Sequence, residues 1–302
     1  MVVTPLPGDP WPDEEAIRRV TSLPVVIITV AASDLHPAWQ QVSDVLVGAD
    51  DPSIEDIVAN VSSRPRASVA LALLLRGGSR RTLEDGLVSE SAAYSALQSG
   101  QEFADWRASR PTKEPGPTDD GPRVRVCREA HTLVLTLTRP HKRNALDARM
   151  RDELVDGLSI ALADPDITQV ELHGEGPSFC AGGDLDEFGS RLDPASAHVV
   201  RLQRHIGRIL SELEPRTTAY LHGPCAGAGI ELPAFVHRVV ARPDTTFSLP
   251  EIGLGLIPGA GGTVSLVNRI GRLRTAWLAL STRAIDVVVA ENWGLVDEVS
   301  AD

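Results

Sequence analysis

The chain has 302 residues, 42% of them hydrophobic and 23% charged, a globular composition with length for one large or two modest domains. Its formal net charge of −12 makes the chain a poor candidate for nucleic-acid binding, which runs on basic patches, but leaves room for a local basic site that takes a small anion. Cys127, Cys180 and Cys225 are scattered, odd in number and free of any CxxC spacing, so neither a disulfide framework nor a metal site is expected.

The first ten residues lack the basic stretch and apolar core of a secretory signal. The longest apolar runs, at Val25–Ile28 and Leu71–Leu75, fall far short of the ~18–20 residues that span a bilayer. The expected location is the cytoplasm.

In chain order, the β-branched run Val25–Val30 predicts a strand. Ser53, with Asp56 three residues on, predicts a helix opened by a capping box. Val69, Leu71, Leu73, Leu74 and Leu75 make Arg66–Arg76 apolar nearly all round, which predicts a buried helix. Thr82 starts another, with Leu83, Leu87, Tyr94 and Leu97 on one side, and Phe103 and Trp106 continue at helical spacing. Four prolines and two glycines in Arg110–Arg123 forbid helix and central strand. They place a linker at 111–123, between a mostly helical module, 1–110, and a core, 124–302.

Beyond the linker, Leu133, Leu135 and Leu137 alternate with Val134, Thr136 and Thr138, a strand pattern. Asp147–Ala163 reads as a helix with Met150, Leu154, Leu158 and Leu162 on one stripe. Val170–His173 is a short strand. Ala195–Leu213 reads as one helix, with Val199, Leu202, Ile206, Ile209 and Leu213 inward. Thr218–Leu221 and Arg238–Ala241 are further strands. Alternating strands and helices imply an α/β fold with a mainly parallel sheet.

Two glutamates carry the chemistry. Glu231 closes Gly-Ala-Gly-Ile-Glu and Glu251 sits in Ser-Leu-Pro-Glu-Ile-Gly, both in apolar, small-residue surroundings. A carboxylate there costs free energy unless it is paired or used, so the pair points to acid–base work. Cys180 and Cys225 have no activating histidine nearby and read as small buried hydrophobes. His173 and His222 sit at strand ends and are expected to satisfy backbone groups. The Gly-rich run Pro258–Gly262 is not a P-loop, because no Gly-Lys-Ser/Thr follows it.

Five segments, in order, resemble the crotonase superfamily, also called the enoyl-CoA hydratase/isomerase family. They are Thr-Arg-Pro-His-Lys-Arg-Asn-Ala-Leu (138–146), Gly-Glu-Gly-Pro-Ser-Phe-Cys-Ala-Gly-Gly-Asp-Leu (174–185) and His-Gly-Pro-Cys-Ala-Gly-Ala-Gly-Ile-Glu-Leu (222–232). The series continues with Phe-Ser-Leu-Pro-Glu-Ile-Gly-Leu-Gly-Leu-Ile-Pro-Gly-Ala-Gly-Gly-Thr (247–263) and Asn-Trp-Gly-Leu-Val-Asp-Glu-Val (292–299). The resemblance implies a (ββα)-repeat spiral core that takes an acyl-CoA thioester as substrate and needs no other cofactor.

It also implies site residues. The backbone N–H groups of Ala181 and Ala228 would form an oxyanion hole for the thioester oxygen, the second at the start of a helix whose dipole helps. Glu251 would give a proton to Cα while Glu231 holds and deprotonates water. Arg143, Ala145, Gly183, Asp184 and Leu185 would hold CoA, although Asp184 reads equally well as a helix cap. The leading expectation is enoyl-CoA hydration or its reverse. The alternatives are isomerisation, thioester hydrolysis, decarboxylation or C–C cleavage on the same scaffold, or a non-catalytic accessory subunit. A homotrimer or dimer of trimers is expected, without nucleic acid or membrane.

One departure is expected. Family members continue for several helices past the last motif, whereas this sequence ends at Asp302. Residues 53–110 resemble those helices, which suggests a circular permutation that places the usual C-terminal helical module first.

Overall fold

Alternation along Thr132–Leu137 sets the main sheet. Leu133, Leu135 and Leu137 are buried and their neighbours half-buried. This strand pairs antiparallel with Val124–Glu129 and parallel with Gln169–Gly174, where Leu135 faces Leu172. The sheet continues in parallel through Thr217–Leu221 and Arg238–Ala241 to Glu298–Val299, six strands in all. A second sheet sets Thr246–Ser248 between Pro224–Ala226, parallel, and Ile285–Asp286, antiparallel. The computed structural model describes residues 1–5, 9–31, 36–111, 121–190 and 193–301. Most of the expected linker, residues 112–120, therefore lies outside the described residues.

Before residue 111 the chain is not helical alone. Val2–Val3, Ile28–Val30 and Val45–Val47 form a parallel three-stranded sheet. The strand expected over Val25–Val30 is thus only its last half. Arg76 ties the helix Pro65–Arg76 to this sheet by a buried two-point pair with Asp44, at 2.8 and 2.6 Å.

Helices Ser53–Ser63, Pro65–Arg76 and Leu83–Gln98 then pack on the later part of the chain. Trp277 Nε1 donates to Ser53 Oγ at 2.8 Å, and Asn60 Nδ2 to the Leu280 carbonyl at 2.9 Å. Ile57, Leu71, Leu87 and Phe103 share one apolar cluster with Leu135, Leu172 and Leu278. Thr82 caps its helix through the Asp85 N–H as expected.

Several local expectations fail for tertiary reasons. Ser53 forms no capping box, because Pro52 is the cap and the Ser53 hydroxyl is taken by Trp277. Leu73 and Leu162 are exposed, since neighbouring elements cover only one side of each helix. The single helix expected over Ala195–Leu213 is two, Pro194–Gln203 and Ile206–Glu212. The break is at Arg204, which leaves helical backbone geometry and ion-pairs with Asp152 and Asp156; Val199 is half exposed. Among the described residues, no helix is long and apolar enough to cross a membrane.

Candidate active site

Two small-residue backbone segments meet at a cavity of about 510 Å³. Residues 179–184 lie against residues 224–231, with Ala226 N–H donating to the Cys180 carbonyl at 3.2 Å. The approach demands glycine. A Cβ on Gly182 would stand 3.0 Å from the Ala226 carbonyl, and one on Gly227 only 2.3 Å from Glu251 Oε1. Both also have positive φ, +94° and +49°, which side chains beyond glycine rarely adopt.

Ala228, in the cavity wall, starts the single helical turn Ala228–Glu231, and its N–H has no hydrogen-bond acceptor among the described residues. The expected partner, Ala181, does not fit. Its N–H donates to the Arg143 carbonyl at 2.9 Å and Ala181 does not reach the cavity. Gly183 does line the cavity, and its N–H has no acceptor among the described residues. The parallel bridge between Leu146 and Gly183 uses the Leu146 and Asp184 N–H groups and turns that of Gly183 away.

Glu231 and Glu251 both line the same cavity and both are buried. Glu231 Oε2 accepts from Ala260 N–H and Gly262 N–H, each at 2.8 Å. Those bonds favour its charged form, but burial, and then Glu251 and Glu90, hold its carboxyl well above the usual range. Burial likewise pushes Glu251 up to about 7, and its Oε2 is buried without a partner. An orphaned carboxyl oxygen is costly as an anion and suits a carboxylic acid.

A third carboxyl, not anticipated from the sequence, completes the cluster. Glu90 comes from helix Leu83–Gln98. Its Oε1 accepts from Gly261 N–H at 2.7 Å, and its Oε2 from Thr263 N–H and Oγ1 at 2.9 and 2.7 Å. It therefore grips the loop that presents the Ala260 and Gly262 donors to Glu231. Burial raises Glu90 to about 7 as well.

These shifts predict a pH dependence of stability. A carboxyl raised above its unfolded value stabilises the fold while protonated and loses that contribution as pH rises through the folded value. Buried His205, pushed down to about 4 by desolvation, acts oppositely, but only below about pH 6.5. From about pH 6.5 to 8 the carboxyls alone titrate, so the thermal midpoint should fall, at a cost of roughly a few kcal/mol. Glu90→Gln should flatten that fall. Calorimetry of both proteins over this range checks it; a midpoint that rises with pH contradicts the assignment.

The expected CoA residues divide. Gly183 and Asp184 line the cavity, whereas Arg143, Ala145 and Leu185 do not. Arg143 and Leu185 are exposed, with Arg143 in left-handed geometry at φ +51°. The Ala145 carbonyl is occupied by Arg139 at 3.1 Å. Asp184 neither caps a helix nor faces outward, since it is buried and accepts from Arg139 at 2.6 Å and from Asp186 N–H at 3.0 Å. Cys180 and Cys225 are buried thiols, pushed up to about 12 by desolvation, as expected of inert side chains. His222 bonds the Gly176 carbonyl as expected, but His173 instead bonds Glu171 at 3.0 Å and stacks on Tyr220. Among the described residues, no cluster of His, Cys, Asp or Glu could hold a metal ion.

Residues 128–302 match the family model described as enoyl-CoA hydratase/isomerase. Over 174 residues the chain is 36% identical to the 2,3-dehydroadipyl-CoA hydratase of Escherichia coli, a match covering 58% of this chain and 68% of that one. It is 32% identical over 176 residues to a probable enoyl-CoA hydratase of Mycobacterium tuberculosis, with the same two shares. Among solved structures, the enoyl-CoA hydratase of Thermoplasma volcanium superposes with a TM-score of 0.56 at 33% identity, over 60% of this chain and 73% of that one. A Geobacillus kaustophilus enoyl-CoA hydratase subunit gives 0.55 at 28% identity, over 59% and 68%.

Proposed function

The chain belongs to the enoyl-CoA hydratase/isomerase family and has its crotonase-like α/β fold, and from that premise we propose that it adds water across the 2,3 double bond of an acyl-CoA thioester, or removes it. The observation that carries the reading is the pairing of two buried carboxyls with two unused backbone N–H groups around one cavity. In the proposed reaction the two carboxyls share one proton: it sits on Glu251, whose Oε2 is unpartnered, and the charge sits on Glu231, whose Oε2 accepts two N–H bonds, so water bonded to Glu231 Oε1 attacks Cβ and leaves its proton on that carboxylate. The thioester oxygen gains negative charge and is met by the N–H groups of Gly183 and Ala228. Glu251 gives its proton to Cα.

Purified protein mixed with a short 2-enoyl-CoA tests this. Loss of enoyl-thioester absorbance with formation of a 3-hydroxyacyl product supports the reading. A shifted double bond without gain of water would make it an isomerase, and binding without turnover would make it an accessory subunit.

We also infer that residues 53–110 stand in for the family's C-terminal helices. Supporting this, they lie outside the family match at 128–302, yet supply Tyr94 and Gln98 to the cavity wall and Glu90 to the catalytic loop. A homotrimer or dimer of trimers remains the assembly we propose, on family grounds.

A further inference from the structure

Three arginines reach the cavity from Ala148–Ala163 and the stretch around Pro194–Gln203: Arg151, Arg201 and Arg204. Arg151 and Arg204 are answered by Asp152, and Arg204 also by Asp156. Arg201 has no carboxylate within ion-pairing distance among the described residues. Its guanidinium donates only to neutral oxygens: Ser91 O and Oγ at 3.2 and 3.0 Å, Ser95 Oγ at 3.1 Å, and Gln98 Oε1 at 3.3 Å. Nε makes no hydrogen bond among the described residues. Desolvation lowers the pKa of Arg201 from the ordinary arginine value, against the opposing pull of Tyr94 and the Glu90 carboxyl, and the group stays a cation. The buried Glu90 carboxyl acts on this half-buried cation only from beyond contact distance, which leaves the guanidinium able to take a carboxylate directly.

The position of that cation relative to the chemistry is defined. Arg201 Cζ lies 4.5 Å from the Tyr94 ring centroid. The Tyr94 ring packs on Gly259, where an added Cβ would stand 2.4 Å from it. Gly259 adjoins Ala260, whose N–H holds Glu231. Arg201 is thus one aromatic ring away from the loop that positions a catalytic carboxyl. The Tyr94 hydroxyl is likewise without a hydrogen-bond partner among the described residues.

Resting on the hydratase reading, we propose that the acyl group of the substrate ends in a carboxylate, which Arg201 binds while the chain between lies along Tyr94. An arginine with open N–H donors matches a carboxylate in shape and charge, and the aromatic face covers the methylenes before it. The serine hydroxyls and Gln98 hold the guanidinium in place without neutralising it. A substrate ending in a methyl group would leave the cation without a carboxylate in contact and should bind less well.

The test compares 2-enoyl-CoA thioesters of equal length that end in carboxylate, amide or methyl. In the wild-type enzyme kcat/KM should favour the carboxylate by roughly tenfold or more. Arg201→Gln should bring that ratio close to one, and Arg201→Lys should keep part of it. A wild-type enzyme without preference overturns the proposal whether or not the variants fold, and so does a ratio that survives Arg201→Gln. Equilibrium binding of the saturated ω-carboxyacyl-CoA, the matching acyl-CoA and free CoA gives a readout that needs no turnover. Weakening confined to the first ligand in Arg201→Gln supports the assignment. Equal weakening of free CoA would assign Arg201 to the nucleotide phosphates and overturn it. Intact binding preference with no hydration of any thioester would sink the hydratase reading and leave the Arg201 assignment standing.

Discussion

Glu251→Gln should lower hydration by roughly 10²–10⁴-fold while acyl-CoA affinity stays within a few-fold. The amide keeps the shape of the side chain, which sits beside Gly227 with one oxygen unpartnered, but has no proton to give. Glu231→Gln should be comparably severe. It replaces the base: the amide oxygen can take the place of Oε2 and accept from Ala260 and Gly262 N–H, which leaves an NH₂ that cannot take a proton at the position of Oε1. The double variant should be far less than multiplicatively worse, since residues that act as a unit are not additive. Rate and binding measured on all three variants decide this. Near-normal turnover by Glu251→Gln would remove it from the mechanism, and fully multiplicative losses would show that the carboxyls do not share a transition state.

Glu90→Gln should be the next largest effect, although Glu90 has no assigned contact with substrate. An amide offers one acceptor where Glu90 offers two, so either Gly261 N–H or the Thr263 pair is left facing an NH₂ group. An unmatched buried donor costs about 1–3 kcal/mol in stability. Displacement of the loop that holds Glu231 should cost kcat roughly tenfold to a hundredfold with a smaller change in KM. A purely structural residue would stop there. Glu90 also raises Glu231 and Glu251 by charge repulsion, so its loss should move the alkaline limb of the rate profile to lower pH. An unchanged pH profile with unchanged kcat would deny Glu90 any part in the site.

The two carboxyls proposed as catalytic were legible because burial of a charge is unusual and the small residues around them announce a close backbone approach. The free N–H at this segment lies two residues from the expected one, at Gly183 rather than Ala181, for a physical reason. In Cys-Ala-Gly-Gly-Asp every residue is small enough to serve, and only the facing segment 143–146 decides, by giving the Arg143 carbonyl to Ala181 and none to Gly183. Glu90 was not legible at all, since a helical glutamate is normally solvated and its partners lie 171 and 173 residues away. Arg201 was hidden in the same way, and the helix break at Arg204 was masked by an apolar pattern that runs on through it. The strands of the N-terminal sheet are two or three residues long, too short for a period to register. Asp184 read as a cap because its pairing with Arg139 bridges 45 residues.

The claim at the centre of this account is that water adds at Cβ and a carboxyl proton at Cα. Turnover of a 2-enoyl-CoA in water labelled with oxygen-18, followed by mass spectrometry of the intact thioester and its fragments, tests it most directly. The account predicts a 3-hydroxyacyl-CoA that carries the label on its Cβ hydroxyl, formed by the wild-type enzyme and nearly abolished in Glu251→Gln. Label in a free carboxylic acid, or an unlabelled isomer of the starting thioester, would contradict it.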